Sequence, residues 1–282
     1  MSSPALTLFG KTAIITGASR GIGSAIAHNL ASKGLTNLVL VYTSASSLPL
    51  IEDLSRDLRS EFPGLHHVEL INADLGTIEG PSKVVNEAKR LLCTGDDLKV
   101  DVLINNAGVA GNWKLEEGAG VKDGFERLYN VNVRGPLLLV TNLLPYLPDD
   151  RSGRIVNISS VSAACGFEGQ SIYGGTKAAL DAMTRTWARE LKHRATVNSV
   201  NPGPVGTDMY ESVTPEFQQL MKPFLMNTPA AQVDTEECRE KGGRRAKPEE
   251  IAGIVGMLCT PDAGWCTGSV VCANGGMIFG LS

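Results

Sequence analysis

The sequence predicts a single α/β domain built as a doubly wound, seven-stranded parallel sheet with helices on both faces. Three observations carry this expectation. Short aliphatic runs alternate along the whole chain with longer stretches of helical periodicity. The strand-like runs are almost continuously apolar, as strands covered on both faces are. A glycine-rich turn follows the first of them. Parallel neighbours need crossover connections, and helices supply them.

Lys11 to Thr16 (KTAIIT) is a β-branched run that stops at Gly17, after which Ile22, Ala25, Ile26, Asn29 and Leu30 recur at helical spacing. That is strand, tight turn, helix. Leu38 to Tyr42 reads as a second buried strand, with a helix over 47–61 after a polar turn. A strand over 68–73, a helix over 81–94 and a strand over 102–104 follow. One long helix is expected over 125–146, then a strand over 154–159 and a helix over 173–194. The strand 196–200, the helix 248–258 and the strand 269–273 complete the set. No repeat is present, so residues 1–282 read as one domain. Residues 207–247, rich in Met, Pro, Glu and Phe, exceed an ordinary connection and read as a substrate-binding lid; a variable surface excursion is the other reading.

Composition excludes several classes. With 26 basic and 30 acidic residues the formal charge is −4, and no basic block is concentrated enough to neutralise a polynucleotide. A nucleic-acid partner is not expected. The six cysteines (93, 165, 238, 259, 266, 272) form no CxxC pair and read as reduced thiols, which points to a cytoplasmic compartment. The N-terminus carries neither a basic region nor an apolar stretch of signal length, and no later segment reaches the roughly 20 apolar residues of a membrane span. The histidines (28, 66, 67, 193) show no ligand spacing, so no metal is expected.

The turn Thr16-Gly17-Ala18-Ser19-Arg20-Gly21-Ile22-Gly23 lies between first strand and first helix. There a pyrophosphate meets unpaired N–H groups and the positive end of the helix dipole. The spacing G-x3-G-x-G only approximates the common dinucleotide fingerprint, but its position after the first strand of a Rossmann-type unit gives it force. An NAD site would place an Asp or Glu at the end of the second strand; Tyr42-Thr43-Ser44 stand there instead. With Arg20 able to face a phosphate, NADP(H) is the expected cofactor.

These residues, with others further along, resemble the classical short-chain dehydrogenases/reductases from Lys11 to Gly276. The matching motifs are TGASRGIG, Asp74-Leu75, Asn105-Asn106-Ala107-Gly108, Asn132, Ser160, Tyr173-x3-Lys177 and Pro202-Gly203-Pro204-Val205-Gly206-Thr207. Each is weak alone; together, in family order, they are specific. The resemblance implies that Asp74 holds the adenine amino group and that Asn106, Ala107 and Gly108 pack beside the adenine ribose. It places Val205 and Thr207, in the segment opened by Pro202 and Gly203, against the nicotinamide amide. The ending Ala273-Asn274-Gly275-Gly276 and the GRRAKPEEIA stretch are similar to fungal ketoreductases of secondary metabolism. Family likeness also implies pro-S hydride delivery and a homo-oligomer, dimer or tetramer, built through the helices near 125–146 and 173–194.

Hydride reduction of a carbonyl leaves an alkoxide that must be protonated. Tyr173 is the expected acid. Lys177, four residues on, projects from the same helix face, and its ammonium, with an oxidised nicotinamide, is expected to lower the phenol pKa. Ser160 ends a strand facing the ligand crevice and is expected to bond the substrate oxygen; its neighbour Ser159 should face the other way. By resemblance, Asn132 anchors a water leading from Lys177 to solvent. Arg134 is read either as a cofactor-side residue or as a surface one. The substrate pocket is expected from residues 162–170, Trp113 and the 207–247 excursion. The activity expected is NADP(H)-dependent reduction of a ketone, or oxidation of the matching secondary alcohol, on a small or medium, apolar molecule. Two other readings stand beside it: an imine reductase or reduction-coupled cyclase, and a non-catalytic NADP-binding sensor.

Overall fold

A computed structural model describes residues 6–92, 98–233 and 236–279 of the 282-residue chain. In chain order the first half runs β1 (Thr12–Thr16), α1 (Gly21–Ser32), β2 (Asn37–Tyr42), α2 (Leu48–Glu61), β3 (His67–Asn72), α3 (Glu79–Leu92), β4 (Val102–Asn105), α4 (Ala119–Tyr129) and α5 (Gly135–Leu143). The second half runs β5 (Gly153–Ile158), α6 (Ser162–Cys165), α7 (Ser171–Glu190), β6 (Ala195–Pro202), α8 (Asp208–Glu211), α9 (Pro215–Met226), α10 (Glu236–Lys241), α11 (Pro248–Leu258) and β7 (Val270–Ala273). The strands form one sheet, order β3-β2-β1-β4-β5-β6-β7, parallel throughout. The domain is thus a single doubly wound α/β unit.

The continuous apolar runs have a plain cause: each of the five inner strands is covered twice. Ile15, Leu40, Ile104, Val156 and Val200 pack with Ile26 and Leu30 of α1, Leu58 of α2 and Val255 of α11. Their chain neighbours Ile14, Val39, Val41, Leu103 and Ile155 point the other way, toward Val84 of α3, Leu139 and Leu143 of α5, and Leu180 and Trp187 of α7. Burying both faces removes the polar alternation that marks a half-exposed strand. Order along the sheet reverses between β1 and β4, and at such a switch point the C-terminal strand ends open a crevice between diverging helices. Asp101 ties the opposite end, its Oδ2 accepting from Thr12 N at 3.0 Å and its Oδ1 from Lys11 Nζ at 2.9 Å.

The expected long helix over 125–146 is the main departure. The chain turns helical earlier, at Ala119, passes through a π-helical segment at Asn130–Arg134, and ends as a 3₁₀ turn at Leu144–Tyr146. Pro136 explains the interruption: it has no N–H to offer Asn132, four residues back, so the ladder shifts. Gly135 N–H accordingly reaches Asn130, five residues back. The helix expected over 173–194 starts at Ser171 and stops at Glu190. The end of the helix expected over 81–94 lies outside the described residues. The 207–247 excursion divides into α8, α9, a 3₁₀ turn and α10 rather than one lid. Its end returns to the sheet, where Ala246 N–H donates to Pro204 O and Gly206 N–H to Ala246 O. Among the described residues no helix is long and apolar enough to cross a membrane.

Candidate active site

A cleft of about 1000 Å³ opens at the switch point. Gly17, Ser19, Arg20, Gly21 and Ile22 form one end of its wall. Two glycines there are dictated by space. Gly17 has φ 63°, and a Cβ on it would sit 2.8 Å from Ala107 Cα; a Cβ on Gly23 would sit 2.3 Å from Gly17 O and 2.7 Å from Asn106 Nδ2. The turn and the segment after β4 are in fact laced together. Asn106 Nδ2 donates to the carbonyls of Thr16 and Gly17, while Thr16 Oγ1 accepts from the N–H groups of Asn106 and Ala107. Gly23 is therefore a packing residue that does not line the cleft, in contrast to its expected place among the cofactor contacts. The backbone near Gly17 is left free for an anion to approach.

Thr43, Ser44, Asp74, Leu75, Asn106, Ala107 and Gly108 continue the wall. At the end of β2, Ser44 Oγ lies 2.9 Å from Ser46 Oγ and 2.8 Å from Ser47 Oγ, a hydroxyl cluster with no carboxylate in it. Arg20 is more than half exposed and stands 3.6 Å from Asp208 of α8, an ion pair weak enough for an anion to displace. Asp74 Oδ1 accepts from Gly76 N–H, which shapes the turn after β3. Arg134 donates to Gly76 O and does not line the cleft. It braces that turn from behind, so its reading as a cofactor contact is not what the fold provides.

Ser160, Tyr173 and Lys177 converge at the far side. Alternation off the end of β5 sends Ser160 into the cleft wall, where its hydroxyl bonds Tyr173, and also turns Ser159 Oγ onto Lys177 O at 3.3 Å. Helix α7 presents Tyr173 and Lys177 one turn apart, with Nζ 5.7 Å from the phenol ring centroid. Lys177 Nζ donates to Ile158 O at 2.8 Å, and burial pulls its pKa down to about 8, against the pull of Asp181. Burial pushes the Tyr173 phenol up from its ordinary value, and the Ser160 hydrogen bond only offsets part of this. The lowering expected from Lys177 is not delivered by the chain's own groups, because the ammonium points at a carbonyl rather than at the phenol oxygen.

Asn132 lies behind this group, 1 % exposed, and lines no part of the cleft. Its side chain is spent on structure: Oδ1 accepts from Val109 N–H at 2.9 Å, and Nδ2 donates to Val109 O at 2.8 Å and Thr176 Oγ1 at 3.1 Å. Pro136, four residues on, has no N–H to offer the Asn132 main-chain carbonyl, and both hydrogens of the side-chain amide are already used.

Pro202, Gly203, Val205 and Thr207 close the cleft's third side. Beyond them the substrate end is lined by Ser162, Phe167, Gln170, Tyr210, Phe217 and Met221. Phe167 meets Phe217 edge-on at 6.2 Å, and Met221 packs with both. Trp113, expected here, is elsewhere: its indole fills the space over Gly111, Gly120 and Gly124, and its backbone N–H donates to Gly169 O. Among the described residues of the excursion, those up to Met221 reach this cleft. Leu225, Thr228, Ala231 and Ala246 line a separate hollow of about 200 Å³ with the Arg244–Glu250 ion pair. Phe167 and Gln170 lie in the expected 162–170 stretch, and Phe217 and Met221 in the expected excursion; the sequence marked these segments, but not which of their side chains would line the cleft.

Comparison with known proteins agrees with this geometry. The family model for short chain dehydrogenase matches residues 11–218. L-xylulose reductase of Aspergillus niger is 51% identical over 299 residues, covering 97% of this chain and 99% of its own. L-xylo-3-hexulose reductase of Hypocrea jecorina is 48% identical over 303 residues, covering 97% and 98%. A crystal structure of a blue fluorescent protein from a metagenomic library, in complex with NADPH, superposes with a TM-score of 0.81 at 33% identity, covering 97% of this chain and all of that one. The fold agrees with these matches, and the chain belongs to the short-chain dehydrogenase family.

Proposed function

We propose that this protein is an NADPH-dependent reductase that converts the keto group of a short sugar to a secondary alcohol. The observation that carries the reading is the convergence of Ser160, Tyr173 and Lys177 in one cleft with the glycine turn. The cofactor is NADP(H): the crystallised neighbour holds NADPH, and the Ser44, Ser46 and Ser47 hydroxyls with Arg20 suit a 2′-phosphate better than a second ribose hydroxyl. The substrate class follows from the two reductases named for keto sugars, which share about half their residues with this chain. The expectation of an apolar substrate gives way to a polyhydroxylated one, and the cleft's Ser162, Gln170 and Tyr210 supply polar groups for it. The tie to secondary metabolism has no support from these relatives.

When bound, the reduced nicotinamide supplies the hydride to the carbonyl carbon. Ser160 holds the substrate oxygen, and Tyr173 gives its proton to that oxygen as negative charge develops. A phenol held above its ordinary pKa is protonated at neutral pH, which is the form reduction requires. Lys177, one turn away with its ammonium held on Ile158 O, is the group placed to return a proton to the tyrosinate that remains. Exposed Phe125, Leu137 and Leu144 on and after α4 and α5 support the expected homo-oligomer. The test is NADPH consumption with L-xylulose and L-xylo-3-hexulose. Tyr173→Phe is expected to reduce turnover by at least about a thousandfold with NADPH affinity nearly intact. Unchanged turnover in the variant, or an inert native enzyme on both sugars, defeats the proposal.

A further inference from the structure

Behind the cleft, Asp181 lies on α7 one turn beyond Lys177, and it is 5% exposed. Its Oδ1 accepts from Ser199 Oγ of β6 at 2.6 Å, and burial raises its pKa above the ordinary carboxylate value, against the opposing pull of the Ser199 and Ser159 hydroxyls. Ser159 is the same hydroxyl that reaches Lys177 O. Among the described residues no cation lies within ion-pair distance of this carboxylate, although an unpaired buried charge is expensive. Such a group is kept where a compensating charge needs it. The titratable groups acting on Asp181 are Lys177 and Arg185, both on α7; β5 and β6 face it with the hydroxyls of Ser159 and Ser199. On Lys177 the acting charge is Asp181, with Tyr173 standing a turn away on the cleft side.

We propose that Asp181 is a positioning residue: held by Ser199, it is the buried counter-charge that keeps Lys177 protonated and pins α7 against the end of β6. Two separate features of one node support this. The Ser199 hydroxyl ties the carboxylate to β6, and the Ser159 hydroxyl beyond β5 ties the neighbouring turn of α7 through Lys177 O, so the register of Tyr173 and Lys177 against Ser160 is set from behind. The negative charge, four residues along the same helix, favours the ammonium inside an apolar surrounding that would otherwise discharge it. The inference rests on Lys177 acting as proposed above, and its test includes a measurement that does not depend on turnover.

Asp181→Asn keeps the size and an acceptor for Ser199 but removes the charge. The expected result is an alkaline limb of kcat/KM shifted down by roughly half to one pH unit, because Lys177 loses its proton earlier. Independently, competitive labelling of Lys177 with acetic anhydride across pH, read by mass spectrometry on the protein alone, is expected to show the same downward shift. Ser199→Ala removes the 2.6 Å hydrogen bond that favours the ionised carboxylate, so Asp181 carries less of its charge and both midpoints should shift in the same direction by less. It serves in place of the first variant should that one fail to fold. A uniform loss of turnover with both midpoints unmoved would show a merely structural carboxylate and overturn the proposal, as would an upward shift. Labelling that shifts while no substrate is turned over by the native enzyme would sink the proposed activity and leave the role of Asp181 standing.

Discussion

Replacing Lys177 by methionine is expected to make the protein more stable at neutral pH while abolishing its activity. Burial holds the Lys177 pKa at about 8 instead of 10.5, so a charged lysine at pH 7 is an unfavourable load on the fold. At roughly 1.4 kcal/mol per pKa unit, that load is about 3 kcal/mol below pH 8. Methionine removes it but strands the Ile158 carbonyl, which loses its 2.8 Å hydrogen bond at a cost of about 1 kcal/mol at any pH. The net gain at pH 7 is therefore about 2 kcal/mol. Between the folded pKa near 8 and the unfolded one near 10.5, the unfolded chain keeps a proton that the native protein has released. Native stability accordingly rises with pH through that window, and about 2 kcal/mol of the variant's advantage should vanish between pH 7 and about pH 9.5. Urea unfolding of both proteins at the two pH values, at one protein concentration, measures this directly. A variant no more stable at pH 7, or a difference that does not change with pH, would refute the assignment of a desolvated ammonium to this position.

Two further outcomes follow from the cofactor end. Ser44→Asp sets a carboxylate into the hydroxyl cluster after β2, and is expected to lower the NADPH-to-NADH ratio of kcat/KM by about a hundredfold, since a 2′-phosphate is repelled and a free ribose hydroxyl is welcomed. Gly23→Ala forces a methyl to within 2.3 Å of Gly17 O and 2.7 Å of Asn106 Nδ2. Titration of NADPH fluorescence should show affinity weakened about tenfold or more, with a Tm lowered by several degrees, because the turn has to open for the methyl to fit; intact affinity would show that the turn tolerates it.

What the amino-acid order determined by itself was whatever depends on local periodicity and on spacing within one element. Continuous apolar runs announced strands covered on both faces, and α11 was legible to the residue because Pro248 and Leu258 bound an apolar period. Tyr173 and Lys177 could be paired because four residues on a helix is a fixed distance. Alternation through Ile158, Ser159 and Ser160 separated the two serines, since a strand end leaves little freedom. What only the tertiary structure decided was everything that depends on which distant atoms a side chain meets. Gly23, Arg134 and Asn132 sit in motifs beside the cleft yet face Gly17, Gly76 and Val109. Trp113 is large and apolar enough for a pocket wall, but three glycines give it a closer place to lie. The break at Asn130–Arg134 needed the partner of Asn132 as well as Pro136 to be visible. Sequence separation likewise gives the distance of Lys177 from Tyr173 but not the direction of its ammonium, which the Ile158 carbonyl claims.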